Sequence, residues 1–262
     1  MEIRKRQTDS GTTVVELEGM LVIYGISAMA IAVVFLVFAK ESPPTPPCLP
    51  DQEERALVLE GLKDILRQKD FILLLLIFFV GLGVFNAVTT WIEDIVRTRG
   101  FSIMQAGNAG GLMILGGIIG AVIIPILSDR YRRRPPFLLL GVVGAVLGLA
   151  GVTYTLNYGF LLTSAFIFGF FLLSAGPVGF QYGAEVTYPV REGTSNGLLL
   201  MAGQISGIVF IVGMDSMKSP SGSMKMPLLL LIGLMVVCAF LCARLRDANI
   251  LINTESSEVI EV

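Results

Sequence analysis

Seven apolar stretches separated by short polar joints set the pattern of this chain, near 19–39, 70–93, 103–128, 136–156, 158–187, 194–214 and 224–245. Each approaches or exceeds the ~20 residues a helix needs to cross about 30 Å of hydrocarbon. Lipid offers no partner to an unpaired backbone group, so helices are the expected state and the fold class is an all-α membrane protein. The short joints imply antiparallel neighbours. The chain divides into a polar N-terminal tail (1–18), a first transmembrane helix (19–39), a linker (40–69), a six-helix bundle (70–245) and a polar tail (246–262).

The linker differs from the other joints. Residues 43–50 carry five prolines, which exclude helix, whereas Leu57, Val58, Leu62, Ile65 and Leu66 share one helical face beyond them. That pattern predicts an amphipathic helix in the membrane interface, or else an ordinary solvated connector. In the third stretch, Gly107, Gly111, Gly116 and Gly120 form two small-xxx-small pairs, and Gly179 and Gly183 form another beyond Pro177. Such spacings allow another helix to approach closely, either as fixed packing or as a surface for sliding.

Composition agrees with a membrane protein: 54% of residues are hydrophobic, 15% are charged and the mean hydropathy is +0.77. A net charge of −2 gives no global field for nucleic acid. The absence of histidine removes imidazole metal ligation and histidine-based triads. Neither G-x-x-x-x-G-K-[ST] nor H-E-x-x-H occurs, and without histidine the usual catalytic base is missing, so no cofactor, metal site or catalytic residue is expected and the chain is not read as an enzyme. Cys48, Cys238 and Cys242 are read as free thiols. No secretory leader pattern opens the chain.

The charges lie between the apolar runs. With the first span running inward, the cytoplasmic segments hold twelve lysines and arginines against seven on the other side, which places the C-terminus inside a multi-pass protein of the cell membrane. The densest cluster, Asp129, Arg130, Arg132, Arg133 and Arg134 in "PILSDRYRRRPPF", is then cytoplasmic.

"SDRYRRRPP" resembles the signature loop G-x-x-x-D-R-x-G-R-R of the major facilitator superfamily, with Arg132 in place of the usual glycine. In its second copy that loop joins helices eight and nine of a twelve-helix fold, so the resemblance makes the seven spans correspond to helices 6–12, a C-terminal half. "GPVGFQYGAEVTYPVREGTSNGLLLMAGQISGIVF", residues 176–210, is similar to the feline leukaemia virus subgroup C receptor type of facilitators, and the likeness extends from Gly19 to Arg246. It implies alternating-access transport of a small organic solute, a choline- or ethanolamine-like amine. In the family the glutamine matching Gln204 contacts substrate, and an aromatic residue stands where Asn86 aligns.

Polar groups at membrane depth are costly unless paired or wet, which singles out Asn86 and Gln204 as substrate-binding candidates. Gln181 and Tyr182 on the fifth span and Trp91 on the second join them. The candidate gate comprises Asp129, Arg130, Arg133 and Arg134 with Glu185, Glu192 and Glu93; Glu185 could bind a cation, carry a proton or pair with a gate arginine. Expected partners are the bilayer, a small solute, and an N-terminal transporter half or a second copy. The rival reading is a non-transporting fragment or a regulatory half that associates with another chain.

Overall fold

The structure, a computed structural model, describes residues 14–38, 62–63, 65–188, 190, 192–220 and 222–247. Among them there is no strand. Seven helices are long and apolar enough to cross a membrane: α1 (Val14–Phe38), α2 (Lys69–Arg97), α3 (Ile103–Tyr131), α4 (Pro135–Tyr154), α5 (Tyr158–Thr187), α6 (Glu192–Ser216) and α7 (Lys225–Cys242). The chain divides into two compact units, Met1–Arg55 and Ala56–Val262. In the first unit α1 is apolar from Leu21 to Phe38, with the Ser27 hydroxyl donating to the Ile23 carbonyl at 2.8 Å.

The second unit is a six-helix bundle. Its helix ends follow local chemistry. Ser102 caps α3 reciprocally with Gln105, the side chain of each accepting from the other's backbone N–H. Asn157 caps α5 through Gly159 N–H at 2.8 Å. Pro135 and Pro136 open α4, where the missing N–H groups cost nothing.

Close approach in the bundle depends on glycine. On the α3–α5 contact, a Cβ at Gly116 would lie 2.5 Å from the Phe166 carbonyl oxygen, and Cβ atoms at Gly120 and Gly169 would strike the Phe170 and Met113 carbonyls. The α2–α6 pair is reciprocal: Gly83 receives Ser206 and Phe210, Gly203 receives Leu82, and Gly207 receives Asn86. These contacts advance together along both chains, so α2 and α6 run parallel, as do α3 and α5. Gly107 and Gly111, expected to form an interface like Gly116 and Gly120, meet nothing within 4 Å in the bundle. Helix rotation turns their face away from α5.

Most of the expected interfacial helix lies outside the described residues. Of its apolar face, Ile65 is fully buried in the bundle core and Leu66 is exposed. Cys238 and Cys242 are free and buried, as expected; Cys48 lies outside the described residues.

Candidate functional site

Arg134 organises one end of the bundle. It precedes α4, and its guanidinium donates from Nε and Nη2 to Glu185 Oε1 of α5 at 3.1 and 3.0 Å, while Nη1 binds Asp129 and reaches Ser128 Oγ at 3.3 Å. The loop is shaped to deliver it. Ser128, fully buried, donates its hydroxyl to the Arg133 carbonyl at 2.9 Å, and Arg132 takes a left-handed conformation, φ 51°, where the chain leaves α3. That is the position at which the family motif carries glycine, the residue that adopts this conformation without steric cost.

Arg134 and Glu185 side chains are 9% and 11% exposed, whereas Asp129 is 65% exposed. Burial pulls the guanidinium pKa down, but hydrogen bonds and charge from Asp129 and Glu185 outweigh it and hold the pKa above its ordinary value. Gln181 donates to Glu185 Oε1 at 3.3 Å, and Glu185 Oε2 is buried with no hydrogen-bond partner among the described residues. The gate candidates thus separate. Arg134, Asp129 and Glu185 come together, whereas Arg130 and Arg133 are exposed side chains of the same loop and Glu192 is exposed at the start of α6.

The candidate substrate residues also separate. Gln204 is exposed on α6, Asn86 is half-buried against Gly207 one turn further along the same helix, and Gln181 is exposed on α5. Tyr182 is not with them. It is fully buried, its hydroxyl donating to the Arg246 carbonyl at 2.7 Å, because the 100° step from Gln181 turns it into the core. Trp91 sits near the opposite end of α2, its Nε1 donating to the Ile211 carbonyl at 3.1 Å. Neighbouring Glu93 is exposed; the ion pairs there belong to Asp94, which binds Arg97 at 2.7 Å and Lys218 at 2.8 Å. A cavity of about 50 Å³ lies among α2, α4, α5 and α7, but its lining of Phe78, Phe85, Leu138, Leu172, Met235 and Cys238 offers no polar group suited to a charged solute.

Sequence reasoning missed Arg99. It follows α2 and donates to the Val152 carbonyl near the end of α4, where a cation meets the negative pole of the helix. Burial lowers its pKa. Its carbonyl partner is 53 residues away and carries no side-chain signature.

Comparison with known proteins supplies the family. A protein of Archaeoglobus fulgidus is 34% identical over 231 residues, 87% of this chain and the full length of that protein. The human choline/ethanolamine transporter FLVCR2 is 30% identical over 86% of this chain and 45% of its own length. Solute carrier family 49 member A3 of Xenopus tropicalis is 29% identical over 77% of this chain and 43% of its own length. The chain spans less than half the length of these two named relatives. The Major Facilitator Superfamily pattern matches residues 11–211. With seven apolar helices and that match across most of its length, the chain is a multi-pass integral membrane protein belonging to the Major Facilitator Superfamily.

Proposed function

We propose that this chain acts as the C-terminal half of a facilitator, its helices corresponding to helices 6–12, and moves a small organic amine by alternating access. The observation that carries the reading is Gln204. It stands mid-span on α6, exposed, with no side-chain hydrogen bond among the described residues. Hydrocarbon cannot satisfy a primary amide, so this face fronts either water or another polypeptide, as the lining of a central cavity does. Asn86 and Gln181 are the accompanying polar groups. The names of the choline/ethanolamine relatives support an amine as solute.

In this reading the arginine loop is cytoplasmic, together with the C-terminus, and the membrane is the cell membrane. Arg134 clamps α5 to the α3–α4 turn through Glu185. That rigid unit is the element against which the cytoplasmic side opens and closes. The chain supplies binding and gating groups rather than a reacting group, so transport is its activity.

Uptake of labelled choline and ethanolamine into vesicles holding this chain alone, repeated with Gln204→Ala, is the test. Uptake that vanishes in the variant supports a self-sufficient amine transporter. Uptake restored by co-expressing the five preceding helices of a relative supports a half that needs its partner. Uptake in neither arrangement favours the rival reading, a non-transporting regulatory half.

A further inference from the structure

The outer ends of α2 and α6 hold an aromatic face, a carboxylate and an ammonium in one arrangement. Lys218 Nζ lies 5.3 Å from the centroid of the Trp91 ring and 2.8 Å from Asp94 Oδ1. A π face beside a carboxylate is the chemistry that recognises organic ammonium ions, and here the ammonium belongs to the chain itself. The indole is fixed by its bond to the Ile211 carbonyl, so the ring is already oriented when a cation arrives. Lys218 is presented by a structured turn: its N–H donates to the Asp215 carbonyl at 3.2 Å, Gly222 N–H to the Ser219 carbonyl at 2.8 Å, and Ser223 N–H to Ser219 Oγ at 3.0 Å. Asp94 and Lys218 side chains are 23% and 24% exposed, within reach of solvent. Arg97 binds the same Asp94 oxygen, so the carboxylate keeps a cation when Lys218 leaves.

We infer that Trp91 and Asp94 form a second binding site for organic ammonium ions, at the end of the bundle opposite the arginine loop, with Lys218 as its tethered occupant. An arriving ammonium ion displaces the lysine. A short tether holds its end group at an effective concentration of roughly millimolar, so Lys218 sets a threshold below which the site stays closed. The site is distinct from the mid-span amides: Trp91 lies five residues beyond Asn86 along α2. Its biological ligand rests on the amine reading above, but its chemistry is open to direct measurement.

Trp91 is the only tryptophan among the 262 residues, so tryptophan emission reports this site. The full chain in detergent is titrated with choline chloride, with sodium chloride at matched ionic strength, and with 3,3-dimethylbutan-1-ol, a neutral molecule of the same shape. The wild type should respond saturably to choline and not to the alcohol. Lys218→Met should lower the half-saturating concentration about tenfold or more by removing the tethered competitor, and adding Asp94→Asn should reverse that gain. Lys218→Gln repeats the measurement with a polar replacement should the methionine variant not stay monodisperse. Equal responses to choline and the alcohol in the wild type, or an unchanged half-saturation in a folded Lys218 variant, overturn the proposal. Loss of the transport reading at Gln204 leaves this titration unaffected, and the reverse also holds.

Discussion

Replacing Arg134 by methionine isolates what the buried ion pair contributes. The guanidinium places two donors on one Glu185 oxygen at 3.1 and 3.0 Å, with both side chains about nine-tenths buried at 9% and 11% exposure. Methionine retains much of the apolar stem but leaves the Glu185 carboxylate with the Gln181 amide alone, at 3.3 Å. Removing one partner of a buried pair costs about 3–5 kcal/mol, and the position near a membrane surface points to the lower end, about 3 kcal/mol. The Asp129 contact adds little, because a mostly exposed pair is worth about 0–1 kcal/mol. Glu185→Met should cost less, about 1.5 kcal/mol, since Arg134 retains Asp129 and Ser128. The double variant should cost no more than Glu185→Met alone, which gives a coupling energy of about 3 kcal/mol. Reversible unfolding of the four proteins in mixed detergent micelles measures it. A coupling energy below about 0.5 kcal/mol would refute the account, because it would mean that water already solvates both charges.

The remaining predictions concern backbone and packing. Arg132→Gly should raise stability by about 0.5–1 kcal/mol in the same unfolding assay, since glycine occupies φ 51° without the cost a side chain incurs there. Gly169→Ala should destabilise by more than about 2 kcal/mol, because its Cβ would strike the Met113 carbonyl and only separation of α3 from α5 relieves the clash. Gly111→Ala, with nothing within 4 Å of its Cβ, should be neutral or stabilising by up to about 1 kcal/mol. Equal thermal shifts for the two alanine variants would remove the close-approach argument.

The proposed gate and the proposed solute face differ in how far sequence could foresee them. Glu185 was readable as a possible arginine partner because a carboxylate within an apolar helix must find a cation. The choice of Arg134 over Arg130 or Arg133 was not readable, because it depends on the left-handed turn at Arg132 and on Ser128 tying that turn shut. Adjacency along the chain groups Tyr182 with Gln181, but one residue along a helix is a different face. The Trp91–Lys218–Asp94 arrangement joins positions more than 120 residues apart, and no local pattern signals it.

The amino-acid sequence by itself determined the seven helices and their bounds to within about five residues, because hydrocarbon thickness and backbone hydrogen bonding leave apolar runs of this length one stable form. It also determined the arginine loop and the polar residues stranded in the spans. Tertiary structure alone decided which glycines meet a neighbour, as the contrast of Gly107 and Gly111 with Gly116 and Gly120 illustrates. The same holds for which arginine is buried and which aromatic faces a cation. Those outcomes depend on helix rotation and crossing, set by packing over the whole bundle and encoded at no single position.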